Sequence, residues 1–295
     1  MSDDGQPDTP HTDAGTTTKG SALKALVSFF TIWHLDITQE DMDAMERGFH
    51  LVPIVGLPFG LLILVEVALI AECSMNIGYG TSFLAAVVAL ATVYIGSKFL
   101  HFDGLTDFGD GMIVSGDPEK HVRALKDTLV GAGGVGVALI VVLLSLATYS
   151  SVSLVFLIIL APLVEVLVKN AQVFAAGMGI AGPGMAGRQV LCTDGRSMVH
   201  SVFVSLVVGA ILCAIAAVVC NNIFGLWSIG DYFVFGILCL LLGLVVSSFT
   251  GWMMARVANR NFGMVNGDIL GATNEVSRVP VMFFMALLMA LMVVI

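Results

Sequence analysis

Seven apolar runs, at residues 51–71, 81–98, 133–149, 152–168, 199–220, 233–255 and 279–295, dominate the chain. Each approaches the ~20 residues of helix that cross a hydrocarbon core. With 57% of its 295 residues hydrophobic and 12% charged, the chain has more apolar surface than one interior can hide. The solvent for the remainder must be lipid, where each backbone N–H and C=O needs an internal partner. The expected fold is therefore all-α: a polytopic membrane helical bundle of about seven transmembrane helices. Only residues 149–151 separate the third and fourth runs, which predicts a tight helical hairpin.

Alternating the spans places the N-terminus and the loops 98–132, 169–198 and 256–278 on one side. All 13 Lys and Arg fall there. The positive-inside rule then makes that side cytoplasmic and the C-terminus external. The expectation is a multi-pass protein of the cell membrane with its active site facing the cytoplasm. The net charge of −9 describes mainly the beginning of the chain, where nine of the 22 acidic residues lie within the first 46 positions. No basic patch supports nucleic-acid binding. The five cysteines show no metal-ligand spacing and imply no disulfide framework. Residues 1–20 form an acidic, Thr- and Gly-rich stretch expected to be a disordered tail. Residues 21–295 are expected as an integral membrane catalytic domain that uses the three loops. Within it, ALKALVSFFTIWHL at 22–35 reads as a helix lying on the membrane or the bundle. Thr38 and Asp41 then form a capping box that starts another short helix.

The most unusual segment is LHFDGLTDFGDGM, residues 100–112. Asp103, Asp107 and Asp110 stand four and then three residues apart, which places them on one face of a helix. Three carboxylates at a membrane boundary repel one another, and a hard divalent cation such as Mg²⁺ removes that conflict. Downstream, Asp117 is a natural N-cap with Pro118 behind it. Arg123, Lys126 and Asp127 follow on the same side of the membrane and suit phosphate chemistry. GAGGVG at 131–136 has no preceding strand, so it reads as helix packing with room for a phosphate at the first turn. A second acidic segment, NGDILGATNE at 266–275, offers Asn266, Asp268, Asn274 and Glu275 as oxygen donors. Asp268 is expected to approach the three aspartates and form one shared site. Glu66 and Glu165 lie inside spans and rank lower, Glu165 with an i, i+4 partner in Lys169. Placing all chemistry on one side favours an enzyme over a carrier.

These segments resemble the cobalamin synthase family, the adenosylcobinamide-GDP ribazoletransferases. The resemblance rests on LHFDGLTDFGDGM, RALKDTLVGAGGVG at 123–136 and NGDILGATNE, with a weaker match in FHLVPIVGLPFGLL at 49–62. It covers about 25 to 295. It implies a Mg²⁺-dependent transfer that joins adenosylcobinamide-GDP to α-ribazole or its 5′-phosphate, giving adenosylcobalamin or its phosphate and releasing GMP. The acceptor's 5′-hydroxyl would attack the phosphorus on the cobinamide side. Asp103, Asp107 and Asp110 would hold the metal, and Arg123 and Lys126 would clamp phosphate oxygens. Asp127 or Asp268 would serve the hydroxyl proton, with Lys126 counted among the catalytic groups. Asn266, Asn274, Glu275 and His101 would contact substrate, His101 standing where many members carry an acid. The implied partners are the two substrates and membrane lipid, with no nucleic acid; a homo-oligomer is left open. A CDP-alcohol phosphotransferase performs the same displacement, but its Ala-Arg signature is missing after Asp103. A transporter is the alternative of another class.

Overall fold

The computed structural model describes residues 20–294, with side chains to 292. Residues 1–19 of the expected tail and the chain end at Ile295 lie outside the described residues. Among the described residues there is no strand, only an isolated parallel bridge between Ala181 and Val265. Six helices are long and apolar enough to cross a membrane, or seven if one bent pair counts as a single span.

The chain opens with α1 (Ala22–Phe30) and α2 (Gln39–Arg47). The Thr38–Asp41 capping box is present. Asp41 also accepts from Ser21 N and Lys24 Nζ, tying α2 to α1; the Thr38 N–H first, then the Ser21 N–H and the Lys24 ammonium, hold its carboxyl down at about 2. A 3-10 segment (Phe49–Val55) leads into α3 (Gly56–Ile77), and α4 (Ser82–Gly96) returns.

The run expected at 81–98 does not continue straight into the aspartate segment. α4 ends at Gly96, and α5 (Leu100–Ile113) leaves it at 91°. Lys98 and Phe99 make the corner with φ of 55° and 57°, a left-handed conformation that costs a side-chain-bearing residue about 1–3 kcal/mol. Neighbours offset that strain. Phe99 N donates to Tyr94 O at 2.8 Å, the Phe99 ring packs between Tyr94 and Phe102, and Ile32 N donates to Gly96 O at 2.8 Å.

α6 (Pro118–Leu125) starts at the Asp117 cap, and α7 (Ala132–Ser150) and α8 (Leu154–Gly177) follow. The connection between α7 and α8 is short, but the hairpin expectation needs correction. α7 packs on α5, α4 and α12, whereas α8 is the buried axis of the bundle, touching α3 and three further long helices, α10, α11 and α12. α9 (Gly184–Cys192) is short; α10 (Gly195–Phe224), α11 (Ile229–Asn261) and α12 (Gly267–Val294) complete the bundle. Residues 169–177 and 267–278, expected within loops, are thus helix. The short helices pack on one another and on the bundle, α1 on α2, α2 on α9, and α6 on α5, which itself lies against α12 and α7.

Candidate active site

α5 and α12 cross where neither has a side chain. A Cβ on Gly104 would lie 2.8 Å from the Asp268 carbonyl oxygen, and one on Gly271 would lie 3.4 Å from the Gly104 Cα. This close approach brings the start of α12 against the aspartate helix. Asn266 fixes it there: its Oδ1 accepts the Ile269 N–H at 3.1 Å as an N-cap, and its Nδ2 donates to Asp268 Oδ2 at 2.8 Å.

The three aspartates of α5 do not behave alike. Asp103 is exposed, and Asp107 is half-buried. The carboxyl of Asp107 is pushed up to about 6, first by burial and then by the negative charge of Asp268, Asp103 and Asp110. Asp110 turns the other way and accepts the N–H groups of Gly131 and Gly134 at 2.6 and 2.7 Å. Its carboxylate takes the seat at the first turn of α7 that the glycine segment was expected to offer a phosphate. Asp110 thereby also anchors α7, a contact that Asp103 and Asp107 do not make.

Among the described residues, no three His, Cys, Asp or Glu side chains converge as a ready-made cation cage. Mg²⁺ on a phosphorylated substrate needs less, since one or two carboxylates share it with phosphate oxygens and water. Asp107, half-buried and repelled by its acidic neighbours, is a donor whose conflict such a cation relieves. The residues present therefore fit the ion.

Lys126 ends α6, is exposed, and lies within electrostatic reach of Asp268. Arg123 is exposed on α6. Asp127 is exposed too and accepts the Leu129 N–H at 3.0 Å.

Beneath the carboxylates runs a buried polar chain. His101 stacks on Phe30, with ring centroids 5.5 Å apart. Lys169 Nζ lies 2.5 Å from His101 Nε2 and donates to Asn274 Oδ1 at 2.7 Å. Asn274 Nδ2 donates to Glu275 Oε1 at 2.9 Å, and Glu275 faces Arg278 at 3.5 Å. Arg278, without exposed surface, pairs with Glu165 and donates to Tyr149. Three expectations change. Asn274 and Glu275, taken as substrate contacts in a loop, are interior groups that hold Lys169 and Arg278 in place. Glu165 pairs with Arg278 rather than with Lys169. Arg278 is a core cation, not a loop charge. Glu66 Oε1 accepts the hydroxyl of Thr92 on α4 at 2.7 Å, while its Oε2 is buried with no partner among the described residues.

Sequence reasoning passed over Lys169 and Gln172 as site residues. The signal available was Lys169-Asn170 with Gln172 ending an otherwise apolar run, polar groups that a buried helix tolerates only with partners.

Two recesses meet at Asp103. A cavity of about 230 Å³ is lined by Phe30, His101, Asp103, Gln172, Gln189 and Asp268. A wider, mostly apolar groove of about 670 Å³ is lined by Tyr94, Phe99, Phe102, Asp103, Thr106 and Leu139. The arrangement suits a two-part substrate whose acidic linker sits at the carboxylates, with one end in each recess.

A family model described as cobalamin-5-phosphate synthase, CobS, matches residues 22–287. Curated relatives bear the name adenosylcobinamide-GDP ribazoletransferase. That of Methanocella arvoryzae is 32% identical over 264 residues, 88% of this chain and 92% of the relative. That of Methanosarcina mazei is 28% identical over 286 residues, covering 92% and 93%. That of Chlorobaculum parvum is 29% identical over 264 residues, covering 87% and 92%. No solved structure matches the chain significantly.

Proposed function

The chain belongs to the cobalamin-5-phosphate synthase family, and from that premise we propose that it joins adenosylcobinamide-GDP to α-ribazole or its 5′-phosphate, releasing GMP, with Mg²⁺. It is an adenosylcobinamide-GDP ribazoletransferase embedded in a membrane by its apolar helices. The observation that carries the site assignment is the glycine-mediated crossing of α5 and α12, which sets Asp268 beside Asp103 and Asp107.

The bond that forms joins an acceptor oxygen to the phosphorus on the cobinamide side. The bond that breaks frees GMP, and the hydroxyl proton leaves to a base. The family description places a phosphate at the 5-position of its product. An acceptor phosphorylated there would attack with another ribose hydroxyl, in place of the 5′-hydroxyl that the resemblance implied.

Asp103 and Asp107 would hold the metal, and when bound it would neutralise charge on the diphosphate and on the departing phosphate. Asp268, oriented by Asn266, is placed to accept the hydroxyl proton. Lys126, with Arg123 on the same short helix, would meet phosphate oxygens from the exposed side. Asp127, occupied by its own loop, is the weaker base. Asp110, by positioning α7, shapes the wall of the wide groove. Lys169, held by Asn274, fixes the His101 ring at the floor of the smaller cavity. The reaction faces the cytoplasm across the cell membrane; with the buried Lys169 and Arg278 set aside, the remaining Lys and Arg all fall on that side of the alternating spans and support that orientation.

Purified protein is expected to release GMP from adenosylcobinamide-GDP only when Mg²⁺ and α-ribazole or its phosphate are both present. Release of CMP from a CDP-alcohol, with none from adenosylcobinamide-GDP, would replace this reading with the phospholipid one.

A further inference from the structure

Two side chains that line the smaller cavity each carry a polar atom that no described residue satisfies. Gln172 Oε1 and Gln189 Nε2 are both buried without a hydrogen-bond partner, on side chains whose residues are 1% and 2% exposed. The orientation of Gln172 is set by its surroundings. Its amide nitrogen donates to the Leu270 carbonyl at 3.0 Å, an acceptor that would repel the amide oxygen, so Oε1 is the free end. Buried polar groups in folded proteins are almost always paired, and an unpaired one on a side chain beside a cavity calls for a partner from outside the protein, an ordered water or a ligand.

The rest of the lining is mostly apolar, with the His101 ring at the floor. Phe29, Phe30, Leu100, Met185, Ala186 and Leu270 enclose the space, while Asp103 and Asp268 stand at its edge. A volume of about 230 Å³ suits a bicyclic aromatic base and is far too small for a corrin ring. Resting on the transferase reading, we propose that this cavity binds the guanine of the nucleotide donor, with Gln172 and Gln189 as its specificity-determining residues. Guanine presents N–H donors at N1 and the exocyclic amine for Gln172 Oε1, and acceptors at O6 and N7 for Gln189 Nε2. The benzimidazole of α-ribazole, attached through one nitrogen, has a single acceptor nitrogen and no N–H. It would leave Gln172 Oε1 buried and unpaired. Guanine in this cavity leads its phosphates out past Asp103 and Asp268, and the wide groove on the far side of Asp103 remains for the corrinoid.

The test begins with the wild-type protein, by equilibrium binding of GMP and AMP and by their competition with adenosylcobinamide-GDP. GMP is expected to compete with the donor. AMP, which offers an amine in place of O6 and an acceptor at N1, should bind at least about 100-fold more weakly. Gln189→Leu, on the short exposed helix α9, should raise KM for the donor about tenfold, leave KM for α-ribazole unchanged and narrow the GMP-to-AMP ratio. Gln172→Leu should act likewise; because it also frees the Leu270 carbonyl, Gln189→Leu and the wild-type ratio decide if it fails to fold. Equal binding of GMP and AMP, or a rise in KM for α-ribazole instead of the donor, would overturn the proposal and assign the cavity to the acceptor. If the wild type releases no GMP from any donor, the transferase reading fails, while the GMP-to-AMP binding ratio still tests the cavity.

Discussion

Arg278 is the largest side chain without exposed surface, and it sits between Glu165 on α8 and Glu275 on its own helix. Removing one partner from such a cluster leaves uncompensated charge in the bundle. Arg278→Met is therefore expected to destabilise the protein by about 3–5 kcal/mol, read from unfolding in detergent. A loss below about 1 kcal/mol, the range of an exposed pair, would mean that Glu165 and Glu275 do not depend on it. At this scale the sequence was only partly legible. Asp103, Asp107 and Asp268 stand out because carboxylates are rare in so apolar a chain. The roles of Arg278, Asn274 and Glu275 did not, because hydropathy and charge counting register a residue's type but not its partner. Asp110 shows the same limit: its spacing matches Asp103 and Asp107, yet two backbone N–H groups of α7 claim it.

Among the elements, α5 and its contact with α12 matter most. Gly104→Ala adds a methyl group 2.8 Å from a backbone oxygen that cannot swing aside. It should push α12 from α5 and lower turnover by at least about tenfold, a small displacement at a site that depends on alignment. Gly136→Ala on α7 meets nothing within 4 Å and gains helix propensity, so activity and stability should hold or improve. Equal effects of the two substitutions on turnover would remove the crossing from the account. The corner before α5 was illegible in the sequence because its left-handed residues are Lys98 and Phe99, which carry no turn signature. Tertiary contacts from Tyr94, Phe102 and Ile32 impose it. The capping box at Thr38 and the start of α6 at Asp117 were legible, since local chemistry decides both.

For the molecule as a whole, the apolar runs foretold the bundle well, because lipid requires long helices and little else in the composition would meet that requirement. Which helices pack together was not encoded in run lengths. α8 occupies the centre, and α7 leaves it after a short turn. Orientation can be read with native cysteines: Cys73 near the end of α3 and Cys192 at the end of α9 are exposed, while Cys213, Cys220 and Cys239 are buried. In right-side-out vesicles an impermeant maleimide should label Cys73 and spare Cys192, and inverted vesicles should reverse this. Labelling of both from one side would contradict the alternation of spans. The most direct test of the central claim, that acids from α5 and α12 form one transfer site, is GMP release with saturating adenosylcobinamide-GDP, α-ribazole and Mg²⁺, comparing wild type with Asp107→Asn and Asp268→Asn. Each variant should lose at least about 100-fold in turnover while its melting temperature stays near that of the wild type. Near-normal GMP release by either variant would contradict the shared site.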